Sequence, residues 1–305
     1  MQSERLTESP LNYTGGKYKL LTQILPLFPD TCNEFIDLFS GGCNVGINVS
    51  AKKIRFNDCN SNLQNIFKVF YKRGKDSILR SIKQIIRKYG LSDVSANGYE
   101  YYGCNGGEGL AEYNRERYIK LRSDMNARKN HDDYYYIMLY VIIVYAFNNQ
   151  IRFNRKGEFN LPVGKRDFNS NMKQKLCDFI DRLQTIKCTF TDNDFKTVRK
   201  RWSKDDFVYA DPPYLITTAG YNEDDGWTEE DEIDLLAYLD RLNAYGVRFA
   251  LSNVLESKGR RNTILDEWCK RNRYFVHHLA YSYSNSNYHR KNKDTKSDEV
   301  LITNY

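Results

Sequence analysis

The chain has 305 residues, of which 41% are hydrophobic and 28% charged, and its formal net charge is +7. This length allows a sizeable core in one large domain or two smaller ones, and the moderate positive charge permits a nucleic-acid partner without requiring one. The seven cysteines are scattered, the N-terminus is polar, and the longest apolar stretch, 137–147, is too short to cross a membrane. We therefore expect a cytoplasmic protein without a zinc site, a disulfide framework or a membrane segment.

At the N-terminal end the pattern predicts a βαβ unit. Helical spacing over 18–27 is followed by a buried strand over 34–39, the Gly-rich turn 40–46, a helix, and a second strand over 53–57. Such a turn lets a ligand approach the backbone, and an acid after the second strand, here Asp58, can bind the two hydroxyls of a ribose. The turn is not a clean Gly-x-Gly-x-x-Gly, so a merely structural turn explains it equally well.

From about residue 61 to 165 the pattern changes to basic helical stretches, a strongly apolar helix over 134–148 and a hairpin centred on 156–157. This block indicates an inserted, mostly helical domain. Arginine can read guanine and asparagine can read adenine through paired hydrogen bonds, although any one arginine more often contacts a phosphate or is a solvated charge. The candidate DNA-binding residues are Asn149, Arg152, Asn154 and Arg155.

After this block the alternation of helices and strands resumes. Helices are predicted over 171–184, 228–245 and 261–271, with a further helix before residue 207. Strands are predicted over 187–191, 207–210, 247–251, 275–279 and 299–303. Thr228 with Asp231 resembles a helix-capping pair. Polar loops are expected at 215–227 and 282–296.

Two short motifs have alternative interpretations. Asp194 follows a predicted strand, and its carboxylate could accept a hydrogen bond from an adenine amine while Phe195 stacks on the base. Asp194 could equally well cap a helix, as aspartate often does. The segment 12–17, Asn-Tyr-Thr-Gly-Gly-Lys, allows a tight turn from which Lys17 could meet a carboxylate, although a surface turn is the simpler explanation.

The most informative motif is Asp211-Pro212-Pro213-Tyr214, which follows the apolar run 207–210. An apolar run closed by turn residues predicts a buried strand that ends at a loop, and each proline stiffens that loop. The carboxylate and the ring should therefore project from the carboxyl end of a strand, where open α/β sheets bind ligands. Two acceptors beside a flat ring suit a base with an exocyclic amine; a structural Pro-Pro with a surface tyrosine is the alternative.

Together and in this order, the motifs resemble those of the Dam-type DNA adenine-N6 methyltransferases over nearly the whole chain. The resemblance rests on the segments 12–17, 35–42, 57–58, 148–154, 157–164, 194–195, 211–214 and 298–302. It implies an α/β, Rossmann-like methyltransferase domain at 1–60 and 166–305, with S-adenosyl-L-methionine as the methyl donor. It also implies a mostly helical target-recognition domain with a β-hairpin at 61–165, and double-stranded DNA as the substrate.

The resemblance further implies roles for individual residues. Asp211 and Pro212 would accept hydrogen bonds from N6 of a flipped adenine that stacks on Tyr214, and these three would be the catalytic residues. The cofactor-binding residues would be Tyr13, Lys17, Asp37, Phe39, Gly41, Asp58, Asp194, Phe195 and Asp211. Arg152 matches the arginine with which the family reads its site. The family often has Phe-x-Gly-x-Gly, whereas here the second glycine is shifted, to position 42.

By the same resemblance we expect a short site, GATC or another site beginning with GA, and transfer without a metal or a covalent intermediate. The protein would be a monomer and could have a cognate restriction endonuclease. A methyltransferase that acts on RNA adenine or a protein amide shares the Pro-Pro-Tyr logic but typically lacks such an insert. A nucleotide-binding regulator or dehydrogenase built on a βαβ unit would not explain Asp211-Pro212-Pro213-Tyr214.

Overall fold

The computed structural model describes residues 5–198, 201–217, 226–280 and 297–305. Its α-helices are α1 (Leu21–Ile24), α2 (Ser61–Tyr89), α3 (Val94–Asn97), α4 (Ala111–Asn126), α5 (Asp133–Tyr145), α6 (Ser170–Thr185), α7 (Glu229–Ala244) and α8 (Thr263–Asn272). Its strands are β1 (Cys32–Asp37), β2 (Ala51–Asn57), β3 (Cys188–Thr191), β4 (Phe207–Ala210), β5 (Arg248–Ser257), β6 (Arg260–Arg261), β7 (Phe275–Leu279) and β8 (Ser297–Thr303). The predicted loop 282–296 and most of the predicted loop 215–227 lie outside the described residues.

The chain divides into two compact units. Unit 1 comprises Met1–Gly16, Gly41–Asn48 and Asn60–Phe190, and unit 2 comprises Lys17–Ser40, Val49–Cys59 and Thr191–Tyr305. Unit 1 is mostly helical, whereas unit 2 contains strands β1, β2 and β4 to β8. The predicted α/β class is therefore confirmed, and the assignment of residues 61–165 to DNA recognition stays a prediction.

The sheet has the strand order β3-β2-β1-β4-β5-β8-β7, with β6 paired to β5. Strands β2, β1, β4 and β5 are parallel neighbours, whereas β8 is antiparallel to both β5 and β7. Every residue of β4 is buried, as expected for a parallel strand covered on both faces. The carboxyl ends of these parallel strands lie along one edge, where open α/β sheets bind ligands.

Helices α7 and α8 contribute to the apolar core of unit 2. Leu239 of α7 and Trp268 of α8 belong to the same buried cluster as Val208 and Phe249 of the sheet. The start of α7 is a capping box, in which the Thr228 side chain accepts from the Asp231 amide and the Asp231 side chain accepts from the Thr228 amide. The predicted capping pair is therefore confirmed.

Three predictions of local structure are wrong. The Gly-rich turn leads to a single 3₁₀ turn, Gly46–Asn48, instead of a helix, and the Asn48 side chain there pairs with both backbone groups of Thr7. The helix expected before residue 207 is, in the described residues, only the 3₁₀ turn Phe195–Thr197. Strand β5 continues beyond residue 251 because β8 pairs with it as far as Ser257 and satisfies its backbone groups.

Unit 1 is built around the apolar helix α5, which is buried on nearly every side, as a helix that is apolar all round must be. Helix α2 packs against α4, α5 and α6 and bends at Gly74, whose φ of 68° lies in the left-handed region. After α5 the chain forms the predicted hairpin, which we call the 146–163 ribbon. The two sides of the ribbon are joined by two isolated antiparallel bridges, Ala146 to Val163 and Phe153 to Phe159, instead of a regular ladder.

Candidate active site

Asp211 lies directly after the carboxyl end of β4, as the sequence predicts. Strand β4 is paired to β1 on one side and to β5 on the other, so the position of its end is fixed. Pro212 is buried and Pro213 is exposed, and the two rings limit the conformations open to the loop. The Asp211 side chain is 16% exposed, so part of the carboxylate can be reached from solvent.

Four side chains of unit 2 form what we call the Asp211 cluster: Lys17, Asp211, Tyr214 and Glu299. Lys17 Nζ is 2.9 Å from Asp211 Oδ1 and 3.7 Å from Glu299 Oε1. The Tyr214 hydroxyl donates to Asp211 Oδ1 at 2.9 Å and lies 3.4 Å from Glu299 Oε1. The Lys17 ammonium is also 4.9 Å from the centre of the Tyr214 ring, within cation–π range. The prediction that Lys17 meets a carboxylate is therefore confirmed.

Burial dominates the electrostatics of the Asp211 cluster. It raises the pKa of the Asp211 carboxyl above its ordinary value, although the Lys17 ammonium and the Tyr214 hydroxyl oppose that change. Burial also raises the pKa of the Tyr214 phenol well above its ordinary value, and the charges of Asp211 and Glu299 add to this increase. The Tyr214 hydroxyl therefore stays protonated at neutral pH and acts as a hydrogen-bond donor.

A second tyrosine, Tyr209, is also affected by the negative charges of the cluster. The Tyr209 hydroxyl is fully buried and lies 2.8 Å from Ser252 Oγ. Its pKa is raised by burial first, and then by the negative charges of Asp211, Asp37 and Glu299. Two of these carboxylates, Asp211 and Glu299, share the single buried Lys17 ammonium. This excess of negative charge suits a cationic ligand.

Three aromatic rings form a second group near the ends of β1 and β3. Phe195 lies 5.4 Å from Phe39 and 5.6 Å from Trp227, and Phe39 meets Trp227 edge-on at 5.7 Å, all between ring centroids. The buried Glu232 carboxylate accepts from the indole nitrogen of Trp227 at 2.7 Å and so orients that ring. Such a group offers an apolar surface on which a flat base can stack.

The remaining acids of the predicted cofactor site lie at the ends of strands. Asp58 directly follows β2 and is buried, and its amide donates to the Thr191 carbonyl at 3.1 Å. Asn57 Nδ2 donates to both the Leu38 and the Asn193 carbonyls at 3.0 Å, which ties the end of β1 to the loop after β3. The Asp194 side chain is exposed and accepts from the Lys196 amide at 2.8 Å. The capping role of Asp194 is therefore observed, and its role toward adenine stays a prediction.

Tyr13 and Gly41 belong to unit 1 and pack against each other. A Cβ atom at Gly41 would lie 2.7 Å from the Tyr13 ring, and the φ of this glycine is +46°. Both the space and the backbone conformation therefore require glycine at this position. The tyrosine ring and the Gly-rich turn are thus one packed unit, which explains why both motifs occur in the sequence.

The 146–163 ribbon holds all four predicted DNA-binding residues, and its two asparagines make internal hydrogen bonds that shape it. Asn149 Nδ2 donates to the Val144 carbonyl at 2.6 Å, at the end of α5. Asn154 Oδ1 accepts from the Lys156 and Glu158 amides at 2.9 and 3.0 Å and shapes the turn of the hairpin. These contacts give both asparagines a structural role that the sequence did not indicate.

The two arginines of the ribbon are placed differently. Arg152 Nε donates to Asn160 Oδ1 at 2.8 Å, so its guanidinium is braced across the hairpin while other N–H groups remain for a ligand. The Arg155 side chain is exposed at the turn. Arg152 is therefore pre-oriented, which favours a specific contact, and Arg155 is suited to a phosphate.

Sequence reasoning missed three residues of these sites: Trp227, Glu232 and Glu299. Glu299 lies within the segment 298–302, which carried part of the family resemblance, but nothing in that segment indicated a carboxylate beside Lys17. Trp227 directly precedes the capping residue Thr228, and an exposed aromatic ahead of a helix is a weak signal. From the sequence, Glu232 looks like a solvent-exposed charge on a helix, and only the structure shows that it is buried.

Comparison with known proteins agrees with this arrangement. A family model described as the D12 class of N6 adenine-specific DNA methyltransferases matches residues 13–285. The chain is 41% identical to the modification methylase StsI of Streptococcus sanguinis, over 99% of this chain and 44% of that protein. It is also 41% identical to the type II methyltransferase M.FokI of Planomicrobium okeanokoites, over 98% of this chain and 43% of that protein. The chain thus spans less than half the length of these two relatives.

A DNA adenine methylase of Haemophilus influenzae is 29% identical over 67% of this chain and 63% of its own length. Among the described residues, no helix combines the length and the apolar character needed to span a bilayer. A dehydrogenase or a nucleotide-binding regulator does not account for a family match that extends over both units. The chain belongs to the D12 class of N6 adenine-specific DNA methyltransferases.

Proposed function

We propose that the chain transfers a methyl group from S-adenosylmethionine to N6 of an adenine that has left the stack of a short duplex DNA site. The observation that carries this proposal is the Asp211 cluster, in which a partly exposed carboxylate at the end of β4 adjoins a buried ammonium and a tyrosine. An acceptor of this kind beside an aromatic ring fits the exocyclic amine of adenine. A substrate in RNA or a protein amide is less favoured, since the relatives are DNA methylases.

The residues at the carboxyl edge of the sheet fit this cofactor. Asp211 and Glu299 share one ammonium, Lys17, and Asp37 adds a third negative charge near Tyr209, so the excess of carboxylates suits the positive charge of a sulfonium. The aromatic group of Phe39, Phe195 and Trp227 suits an adenine ring. When bound, S-adenosylmethionine would supply an electrophilic methyl group.

Asp58 would hold the ribose hydroxyls, because a buried carboxylate after the second strand of such a unit is suited to that task. Asp194 would contact the cofactor adenine through its free acceptor capacity. Tyr13, Lys17 and Gly41 would line the methionine end, and in unit 1 the close packing of Tyr13 on Gly41 supports a common role for these two.

The Asp211 carboxylate and the Pro212 carbonyl would accept the two hydrogens of the target N6. Acceptance of both hydrogens increases electron density on the nitrogen and fixes the direction of its lone pair. Tyr214 would provide the ring against which the flipped base stacks, and flipping is needed because N6 cannot be reached inside a duplex.

Recognition is assigned to the 146–163 ribbon. Arg152 is the residue we expect to read a base, since Asn160 braces its guanidinium. Arg155 would contact a phosphate, whereas Asn149 and Asn154 would act mainly by shaping the ribbon. GATC is the favoured site, with other sites beginning with GA as the alternatives. A monomer that modifies one strand at a time, with a cognate endonuclease elsewhere, completes the proposal.

Methylation-aware sequencing of DNA from a host that expresses the chain tests the proposal directly. We expect N6-methyladenine at one position of a short sequence, and none in a host that expresses the Asp211→Ala variant. DNA without new N6-methyladenine, from a host in which the folded wild-type chain is present, would show that the proposal is wrong. Calorimetry with S-adenosylmethionine on the wild type and on Trp227→Ala tests the cofactor site, and we expect binding to weaken about 10-fold in the variant.

A further inference from the structure

Both donors that reach Asp211 also lie beside the same oxygen of Glu299. Lys17 Nζ is 2.9 Å from Asp211 Oδ1 and 3.7 Å from Glu299 Oε1, and the Tyr214 hydroxyl is 2.9 Å from the first oxygen and 3.4 Å from the second. Each donor therefore makes its short contact with Asp211 and a longer, weaker contact with Glu299, which a small displacement would shorten.

Glu299 is an unusual residue at this place in the sheet. It lies in the middle of β8, paired with Val254 of β5 on one side and with Leu279 of β7 on the other, and its side chain is only 4% exposed. Burial of a carboxylate is costly unless charged partners or donors compensate for it. The pairing of β5 with β8 is irregular between Val254 and Glu256, directly beside Glu299, and such irregularities can re-aim a side chain.

We propose that Glu299 is a positioning residue for methyl transfer: it takes over Lys17 and Tyr214 as the target amine engages Asp211. This inference rests on the proposed function. In the structure described, two donors hold Asp211 Oδ1, and a carboxylate that already accepts from two donors is a weaker acceptor for a third. A second carboxylate within reach lets both donors leave Asp211 without becoming unpaired in a buried site, a loss that is otherwise expensive.

The shift of Lys17 and Tyr214 from Asp211 to Glu299, which we call the hand-over, explains three features together. It explains why two carboxylates lie beside one buried ammonium. It explains why Tyr214 can move to meet a flipped base although its hydroxyl is bonded to Asp211. It also explains why the second acceptor stands on β8, a strand paired on both sides, since such an element holds the carboxylate close to both donors.

The test compares Glu299→Gln with Asp298→Asn, because both remove one negative charge from adjacent residues of β8. The Asp298 side chain is 38% exposed and pairs with His278, outside the Asp211 cluster. With the site found by sequencing as the substrate, we expect kcat of Glu299→Gln to fall about 10- to 100-fold while KM for DNA stays within about 3-fold. Asp298→Asn should match the wild type in both constants. Equal kcat in the two variants would overturn the inference.

A second readout separates positioning from a general structural role. Duplex DNA with 2-aminopurine in place of the target adenine gives increased fluorescence when that base leaves the stack. With S-adenosylhomocysteine present, we expect Glu299→Gln to keep the fluorescence increase of the wild type, because Glu299 acts after the base has left the stack. If that increase is lost together with kcat, Glu299 holds the base or the fold, and the hand-over is wrong.

A crystal structure of the wild type with duplex DNA and S-adenosylhomocysteine tests the same inference without any variant. We expect the Tyr214 hydroxyl to lie closer to Glu299 Oε1 than to Asp211 Oδ1, the reverse of the order seen here. A hydroxyl that remains on Asp211 with the flipped adenine in place would overturn the inference. If the wild type methylates no adenine at all, the proposed function fails first, so the two failures are distinguishable.

Discussion

The Asp211 cluster and the 146–163 ribbon both contain polar side chains but differ in how far those side chains are buried. In the cluster, the charged side chains are largely buried and contact one another, with one ammonium beside two carboxylates. In the ribbon, the four candidate DNA-binding side chains are exposed or half-buried, and Asn154 shapes the turn. A buried cluster is sensitive to the loss of any member, whereas an exposed ribbon tolerates loss at most positions.

We expect the Asp211 cluster to govern the rate of methyl transfer and the 146–163 ribbon to govern which DNA sequence is bound. A carboxylate in a largely buried place interacts strongly with its neighbours, so geometry there controls rate. Arg152 is half-buried on the ribbon and braced by Asn160, so we expect it to affect which sequence is bound more than the rate of transfer. The predictions below test whether these two regions can be changed independently.

The largest effect is expected from Asp211→Ala. Loss of the acceptor should lower kcat by about 10³-fold or more, because the amine then has no carboxylate to engage. DNA binding, measured by fluorescence anisotropy, should stay within about 3-fold of the wild type, since phosphate contacts elsewhere dominate affinity. A variant that still transfers methyl groups at the normal rate would remove Asp211 from the mechanism.

Arg152→Ala should change site discrimination and leave the chemistry intact. We expect a loss of about 1–3 kcal/mol in the preference between the cognate site and a site changed at one base pair. Competition assays with single-substitution duplexes give this number directly. Arg155→Ala is the matched control and should weaken binding to all duplexes by a similar factor. If both variants have the wild-type preference, the ribbon does not read the site.

Replacing Lys17 by methionine should shift the pH dependence of activity. Burial raises the pKa of Asp211, while the Lys17 ammonium and the Tyr214 hydroxyl lower it, so removal of the ammonium lets that pKa rise further. The amine needs an ionised Asp211, and activity is therefore lost as pH falls through this pKa. We expect the acid limb of kcat/KM to move to higher pH in Lys17→Met and to stay unchanged in Lys53→Met, a surface control paired with Glu34. An unshifted limb in Lys17→Met would mean that Asp211 is not the titrating group.

The smallest effect is expected from Asn154→Ala. The variant loses the two amide contacts that shape the turn, which should cost about 1 kcal/mol or less of stability at an exposed site. Because Arg152 stays braced by Asn160, site preference should change by less than in Arg152→Ala. A change in preference as large as that of Arg152→Ala would show that Asn154 contacts a base itself.

The sequence predicted those features whose causes are local. An apolar run followed by Asp211-Pro212-Pro213-Tyr214 indicates a strand that ends in a stiff loop, and β4 ends there. Thr228 with Asp231 indicates the start of α7 because a capping box involves only neighbouring residues. The helix expected after the Gly-rich turn failed because the Asn48 side chain bonds to the distant Thr7, a contact that local propensity does not contain.

Sequence alone therefore determined the class of fold, the family and the position of the Asp211 carboxylate at the end of a strand, because these depend on residue order and on short-range backbone preferences. Only the tertiary structure decided which side chains meet that carboxylate. Lys17 and Glu299 are far from Asp211 in the sequence, yet Lys17 Nζ lies 2.9 Å from Asp211 Oδ1, and the pairing of β8 with β5 brings Glu299 to the same place. Charge balance in a buried place depends on distance in space, so a list of residues cannot reveal it.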